Sequence, residues 1–280
     1  MTTADPKAPY YDLLEQAGET GDSNFPLFEA ALACAALDHE GEDIEAYRAH
    51  ALDLVDSVKE NASGDDADPE QIAQLLSDAL AGGYGYEGDG DTYEAPENAD
   101  IIDVIERRRG LPVALGVLYI HVARAFDWPV YGVNLPGHFV LAVGDQETPV
   151  IFDPFNKGQI LSAEDVATLM MQAEQEAGDD GTYRLSGMTD REVLMRLLNN
   201  QRMRAAQGGD ADRTAEILRR MVLIVPDSGP LWSDYAKAAQ AAGIMRAAIG
   251  AFEKVSELSP ATDMSAEAQI ALLGLRKQLN

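Results

Sequence analysis

The chain has 280 residues, 46% of them hydrophobic, enough for two domains or for one domain with a helical extension. Its formal net charge is −27, from 48 acidic and 21 basic side chains; such a field repels phosphates, so neither nucleic acid nor anionic membrane is expected as a partner. A single cysteine, Cys34, excludes an intramolecular disulfide and a multi-cysteine zinc site, and no apolar run approaches the roughly 18–20 residues of a membrane span.

The charge is unevenly placed. Residues 1–100 hold 25 acidic side chains against Lys7, Arg48 and Lys59, which reads as a solvated acidic surface or a docking face for a basic partner. The first residues lack the basic and apolar regions of a signal peptide, so a cytoplasmic, reduced location is expected. Residues 1–22 are polar and read as a loose acidic arm. Apolar residues on helical spacing predict helices over 25–39, 44–59 and 71–80, with Asp68 before Pro69 as a helix start. Residues 82–98 are rich in Gly and Asp and read as a flexible acidic loop. The spacing of Glu87, Asp89, Asp91 and Glu94 does not match an EF-hand, and no metal or cofactor is expected.

A helix over 99–108 ends in the basic triplet Arg107, Arg108 and Arg109 before Gly110, where cations complement the helix dipole and glycine ends the helix. The triplet would either pair with local carboxylates or meet an anionic ligand. Pro112 then opens a helix reaching about residue 126, apolar nearly all round and therefore buried; His121 on it reads as a core or interface residue. Residues 128–134, 139–143 and 150–152 read as antiparallel strands, and Ser162 with Asp165 opens a helix to about residue 176. Helices around an antiparallel sheet predict an α+β domain.

From residue 186 the pattern is helical to the end, starting from a capping box at Thr189 and Glu192. Pro226 and Pro260 are 34 residues apart, as are Gly209 and Gly243, which is the period of the tetratricopeptide helix pair. The expected organisation is an arm (1–22), helices plus core (23–185, the core at 96–185) and a tetratricopeptide-like helical module (186–280).

A papain-type hydrolase or acyl-transferase sets a thiol at a helix N-terminus, an imidazole on a neighbouring strand and a carboxylate on the next. The helix start at Pro112, then His138, then Asp153, follow that order. The stretch from Arg107 to Val143, with its PGHF motif, and the DPFN-x-G motif from Asp153 to Gly158 resemble the transglutaminase-like core of bacterial SirB-type proteins, which carry N-terminal helices and C-terminal tetratricopeptide repeats. The resemblance implies a papain/transglutaminase-like core, a central helix with a small antiparallel sheet. Carried over residue by residue, the superfamily's histidine falls on His138 and its aspartate on Asp153. Its cysteine falls on Pro112, which has no nucleophile. Cys34, within an apolar run, reads as a buried helix residue.

Without a thiol, His138 and Asp153 could pair to pin two strands, line a retained cleft, or activate water. A cleft would be lined by Arg109, Gly110, Pro112, Pro136, Gly137, His138, Asp153, Phe155 and Asn156. The expected function is a non-catalytic interaction or regulatory protein with a protein or peptide partner. The alternative is a hydrolase of amide or ester bonds using His138, Asp153 and water.

Overall fold

A computed structural model describes residues 5–62, 67–135, 137–177 and 187–279. It is mostly helical, with one small antiparallel sheet. Helix α1 (Ala8–Glu19) corrects the expected loose arm: Leu14 and Ala17 are buried, and the Tyr11 hydroxyl bonds Glu216. Helix α2 (Leu27–Ala36) buries every residue except Glu29, and Cys34 is one of those buried. Helix α3 (Ile44–Asn61) is capped by Asp43 and buries Tyr47, Ala51, Leu54 and Val58, one face at helical spacing. Helix α4 (Pro69–Ser77) starts at a reciprocal capping box of Asp68 and Gln71 and passes into a π-helical turn over Asp78–Gly83.

The acidic stretch that follows is ordered, contrary to the flexible loop expected from its composition. Strand β1 (Glu87–Gly88) pairs in parallel with β2 (Arg109–Gly110), and helix α5 (Ile101–Arg107) lies between them in sequence. The cause is a set of local partners. Asp89, 2% exposed, accepts from the Thr92 amide at 2.9 Å, the Thr92 hydroxyl at 2.7 Å and Arg107 Nη2 at 2.7 Å. Thus Gly and Asp here mark turn chemistry, not mobility.

Helix α6 (Pro112–Arg124) is buried almost all round, as its composition predicts. It is followed by β3 (Val130–Leu135), β4 (His138–Val143), β5 (Val150–Asp153), β6 (Gln159–Ile160), helix α7 (Ala163–Ala177) and β7 (Gly187–Met188). The sheet order is β6-β5-β4-β3-β7, antiparallel throughout. Alternation divides its side chains. Phe139 and Leu141 project to α6, where Gly116 leaves room for the Phe139 ring. Val133, Leu135, Val140, Ala142 and Ile151 form the other core, packed against Leu161 and, on α7, Val166 and Leu169.

The chain ends in α8 (Asp190–Gln207), α9 (Ala211–Ile224), α10 (Gly229–Ala241), α11 (Met245–Leu258) and α12 (Asp263–Leu279). Consecutive members of α9–α12 pack together across short turns. The starts of α9 and α11 are 34 positions apart, as are those of α10 and α12. Gly209 and Gly243 precede α9 and α11 with φ of 73° and 74°, a left-handed conformation that glycine adopts without strain.

Two compact units emerge, Gly21–Leu197 and Met1–Thr20 with Leu198–Asn280. Two expected boundaries therefore move. The division expected at residue 186 falls instead between Leu197 and Leu198, inside α8, and α1 belongs with the C-terminal helices because it packs on α9, its Gly18 lying against the Leu223 carbonyl. Among the described residues, no helix is long and apolar enough to cross a membrane.

Candidate functional site

Arg108 ends α5 in the left-handed conformation at φ 59°, turning the chain into β2 and then α6. The Leu111 N–H donates to the Asn98 carbonyl at 2.8 Å, which fixes the α6 start. Gly110 sits against Val104 and the Asn98 carbonyl, where a side chain would collide. The first turn of α6 presents half-buried Pro112, then Val113 and Ala114, and none of these can attack a carbonyl. Cys34 is buried in α2, and the Thr148 hydroxyl is bonded to Asp145 in the β4–β5 turn.

His138 opens β4 opposite Leu135, with an exposed side chain. Its carbonyl accepts from Arg196 Nη2 at 3.0 Å. Asp153, at the end of β5, is 3% exposed. Its Oδ1 accepts the Phe155 N–H at 2.9 Å and its Oδ2 the Asn156 side-chain amide at 2.7 Å. Among the described residues, His138 and Asp153 share no hydrogen bond or ion pair, so the cross-strand pair, one of the three roles open to them, is not formed. The physical reason is twofold. Both Asp153 oxygens serve their own turn, closed by Gly158 N–H to the Asp153 carbonyl at 2.8 Å. The paired residues of β4 and β5 run from Leu141 with Phe152 to Val143 with Val150, leaving His138 beyond that ladder.

The other expected cleft residues divide between two places. Gly137, exposed with φ 68°, lies in the β3–β4 turn with His138; Pro136 lies outside the described residues. Arg109, Gly110, Phe155 and Asn156 gather instead with the acidic loop. The Phe155 carbonyl accepts the Gly88 N–H at 2.9 Å, and its ring lies over Gly88 and 5.8 Å from Tyr93. Arg109 reaches Glu87 at 3.0 Å and Asp91 at 3.5 Å, and Lys157 reaches Glu87 at 2.9 Å. Lys157, then Arg109, hold the Glu87 carboxyl below its usual range. Hydrogen bonds from Thr92, then Arg107, hold Asp89 down at about 2.

Arg107 and Arg109 therefore pair with local carboxylates, whereas Arg108 does not. Its guanidinium lies over the Tyr86 ring at 4.9 Å and the Tyr84 ring at 6.0 Å, bonds the Tyr86 hydroxyl, and meets His50 Nε2 at 2.7 Å. Burial, then the Arg108 charge, push His50 down to about 4, so it faces Arg108 as a neutral acceptor. The Tyr119 hydroxyl is another buried polar group that sequence reasoning missed. It has no hydrogen-bond partner and lies beside Ser77 and Gly158, and burial raises its pKa. These residues lie too far apart in sequence for any short motif to reveal them.

One group has metal-ligand types. His39 Nε2 lies 3.2 Å from Asp100 Oδ1 and 3.9 Å from Asp103 Oδ2. The Asp100 hydrogen bond raises His39 to about 9, so a proton already supplies the positive charge. The imidazolium joins the chain just past α2 to the start of α5, where carboxylates complement the helix dipole.

The arrangement is thus a buried helix entering an antiparallel sheet, with His138 and Asp153 on adjacent strands. A model of the transglutaminase-like superfamily matches residues 45–199. A UPF0162 protein of Xylella fastidiosa (strain Temecula1) is 29% identical over 244 residues, 86% of each chain. The UPF0162 protein PA3419 of Pseudomonas aeruginosa is 31% identical over 204 residues, 71% of this chain and 72% of the other. Mouse F-box only protein 21 is 27% identical over 158 residues, 53% of this chain but only 24% of that protein. A crystal structure of menin aligns with 90% of this chain and 70% of its own at 8% identity and a TM-score of 0.44, too low to carry an argument. On the superfamily match over more than half of its length, and on its likeness to the Pseudomonas protein, the chain belongs to the transglutaminase-like superfamily and, within it, to the UPF0162 proteins.

Proposed function

We propose that this protein is a non-catalytic interaction or regulatory protein that retains a transglutaminase-like core without its chemistry. The observation that carries this reading is the start of α6. A helix N-terminus lowers a thiol pKa and so activates it, and the first residue of α6, where the resemblance puts the superfamily's cysteine, is Pro112. Asp153 supports the same reading: a general-base histidine needs a carboxylate to fix its tautomer, and both Asp153 oxygens are bonded within their own turn. The water-activating alternative, with His138 and Asp153 acting on amide or ester bonds, lacks that orienting contact.

The finer assignment is to the SirB-type proteins, with α9–α12 acting as tetratricopeptide-like pairs. The 34-residue spacing of the helix starts and the matching left-handed turns at Gly209 and Gly243 support it. Such pairs present faces for a helix or an extended peptide, so the partner is a protein or peptide in the cytoplasm, not nucleic acid, which the charge of −27 disfavours. The test is turnover. Purified protein is assayed for amine incorporation, amide hydrolysis and ester hydrolysis beside His138→Ala. Rates equal to those of the variant support the reading, and turnover lost in the variant overturns it.

A further inference from the structure

Helix α12 packs on α11 and buries Ala268, Leu272 and Leu275 along one face. Its opposite face is apolar too, and it is open. Ile270 is 71% exposed and Leu273 64%, with the exposed Ala266 and Gly274 on either side. A helix that ends a stack of helix pairs ordinarily turns a polar face outward, so an apolar one marks a surface that another molecule covers.

The charges on the same stripe indicate what covers it. Asp263, Ile270 and Lys277 follow one another at intervals of seven, so they share one side of the helix over about 21 Å, an acid at one end and a base at the other. Among the described residues neither Asp263 nor Lys277 has an ion pair within the chain. A second α12 laid antiparallel across Ile270 brings Asp263 opposite Lys277 of the other copy, at both ends at once. The same two-fold sets Ala266 against Gly274 of the other copy, on both sides of Ile270, so small residues meet where the helices cross closest.

Gly274 supports this separately. Glycine inside a helix weakens it relative to alanine, yet a Cβ at Gly274 would meet nothing within 4 Å, so no contact in its own chain calls for the missing side chain. A neighbouring helix backbone does. Nor does charge oppose pairing in this part of the sequence. Residues 198–280 hold ten basic and nine acidic side chains, so the net charge of −27 belongs to the rest of the chain.

We infer that α12 is the interface of a homodimer, an antiparallel pair of α12 helices related by a two-fold through Ile270. It uses no residue of the core, so it stands or falls separately from the non-catalytic reading.

The test is sedimentation equilibrium of the full chain from about 1 to 500 µM, since a single helix pair makes a small interface and a micromolar dimer is expected. Ile270→Glu and Gly274→Leu change exposed positions, so both should keep the native circular dichroism spectrum and remain monomeric where the native chain is dimeric. Lys277→Glu is expected to weaken the dimer at least about tenfold, and Asp263→Lys added to it should restore the affinity, because the two charges face each other across the two-fold. A native chain that stays monomeric throughout would overturn the interface and leave the face to a different partner. A dimer indifferent to Ile270→Glu or Gly274→Leu, or a double variant no tighter than Lys277→Glu alone, would overturn it as well. Should an Ile270 or Gly274 variant fail to fold, the charge reversal and its restoration decide alone.

Discussion

Asp153 and His138 differ in burial, and this sets what each contributes. Removing the buried Asp153 carboxylate orphans the Phe155 N–H and releases the Asn156 amide that it holds in the turn. Asp153→Ala is therefore expected to lower stability by about 1–3 kcal/mol in urea unfolding. His138→Ala removes an exposed ring with no partner among the described residues, and its effect should stay within about 0.5 kcal/mol. Equal losses from the two substitutions would contradict the geometry.

Two other residues set opposite pH dependences. His39 has a folded-state pKa raised to about 9, so its contribution is complete below about 6.5 and is lost as pH rises through 9. Asp89 is lowered to about 2, so its contribution is present above its ordinary value of 3.8 and is lost as pH falls through 2. Chemical denaturation of His39→Gln should show less loss than the native chain between pH 7 and 9.5. At this scale the sequence reads well where a residue acts on its own neighbours. The caps at Asp68, Ser162 and Thr189 are local and were expected. His50 was not, because its partner Arg108 lies 58 positions away.

At the scale of elements, strong periodicity was legible and sparse periodicity was not. The helices α2–α6 and the strands β3–β5 lie close to their predicted spans because long apolar patterns and caps define them. Helix α1 escaped notice because its buried face is only Leu14 and Ala17, too little to reveal a period. Its packing on α9 depends on a close approach at Gly18, where a Cβ would run into the Leu223 carbonyl. Gly18→Ala should cost about 1–3 kcal/mol by thermal unfolding, in spite of alanine's better helix propensity. The acidic loop was misread for the opposite reason: composition reports turns, but not the arginine that orders them. Arg107→Ala should make residues 87–95 the first site of limited proteolysis, and an unchanged cleavage pattern would show that Arg107 does not order the loop.

Over the whole molecule, family and chemistry rest on different evidence, because a fold does not by itself imply a reaction. Membership of the transglutaminase-like superfamily rests on the whole span from residue 45 to 199, whereas the chemistry rests on a few side chains within it. The order of helix start, His138 and Asp153 was legible in the sequence. That Asp153 serves its own turn instead of His138 was not, since this depends on where the β4–β5 ladder stops. The most direct test of this account compares the hydrolysis and amine-transfer rates of the native chain with those of His138→Ala, which should fold equally well. The account predicts equal rates, both at the level of buffer. Turnover by the native chain that disappears in the variant would show a working catalytic site and contradict it.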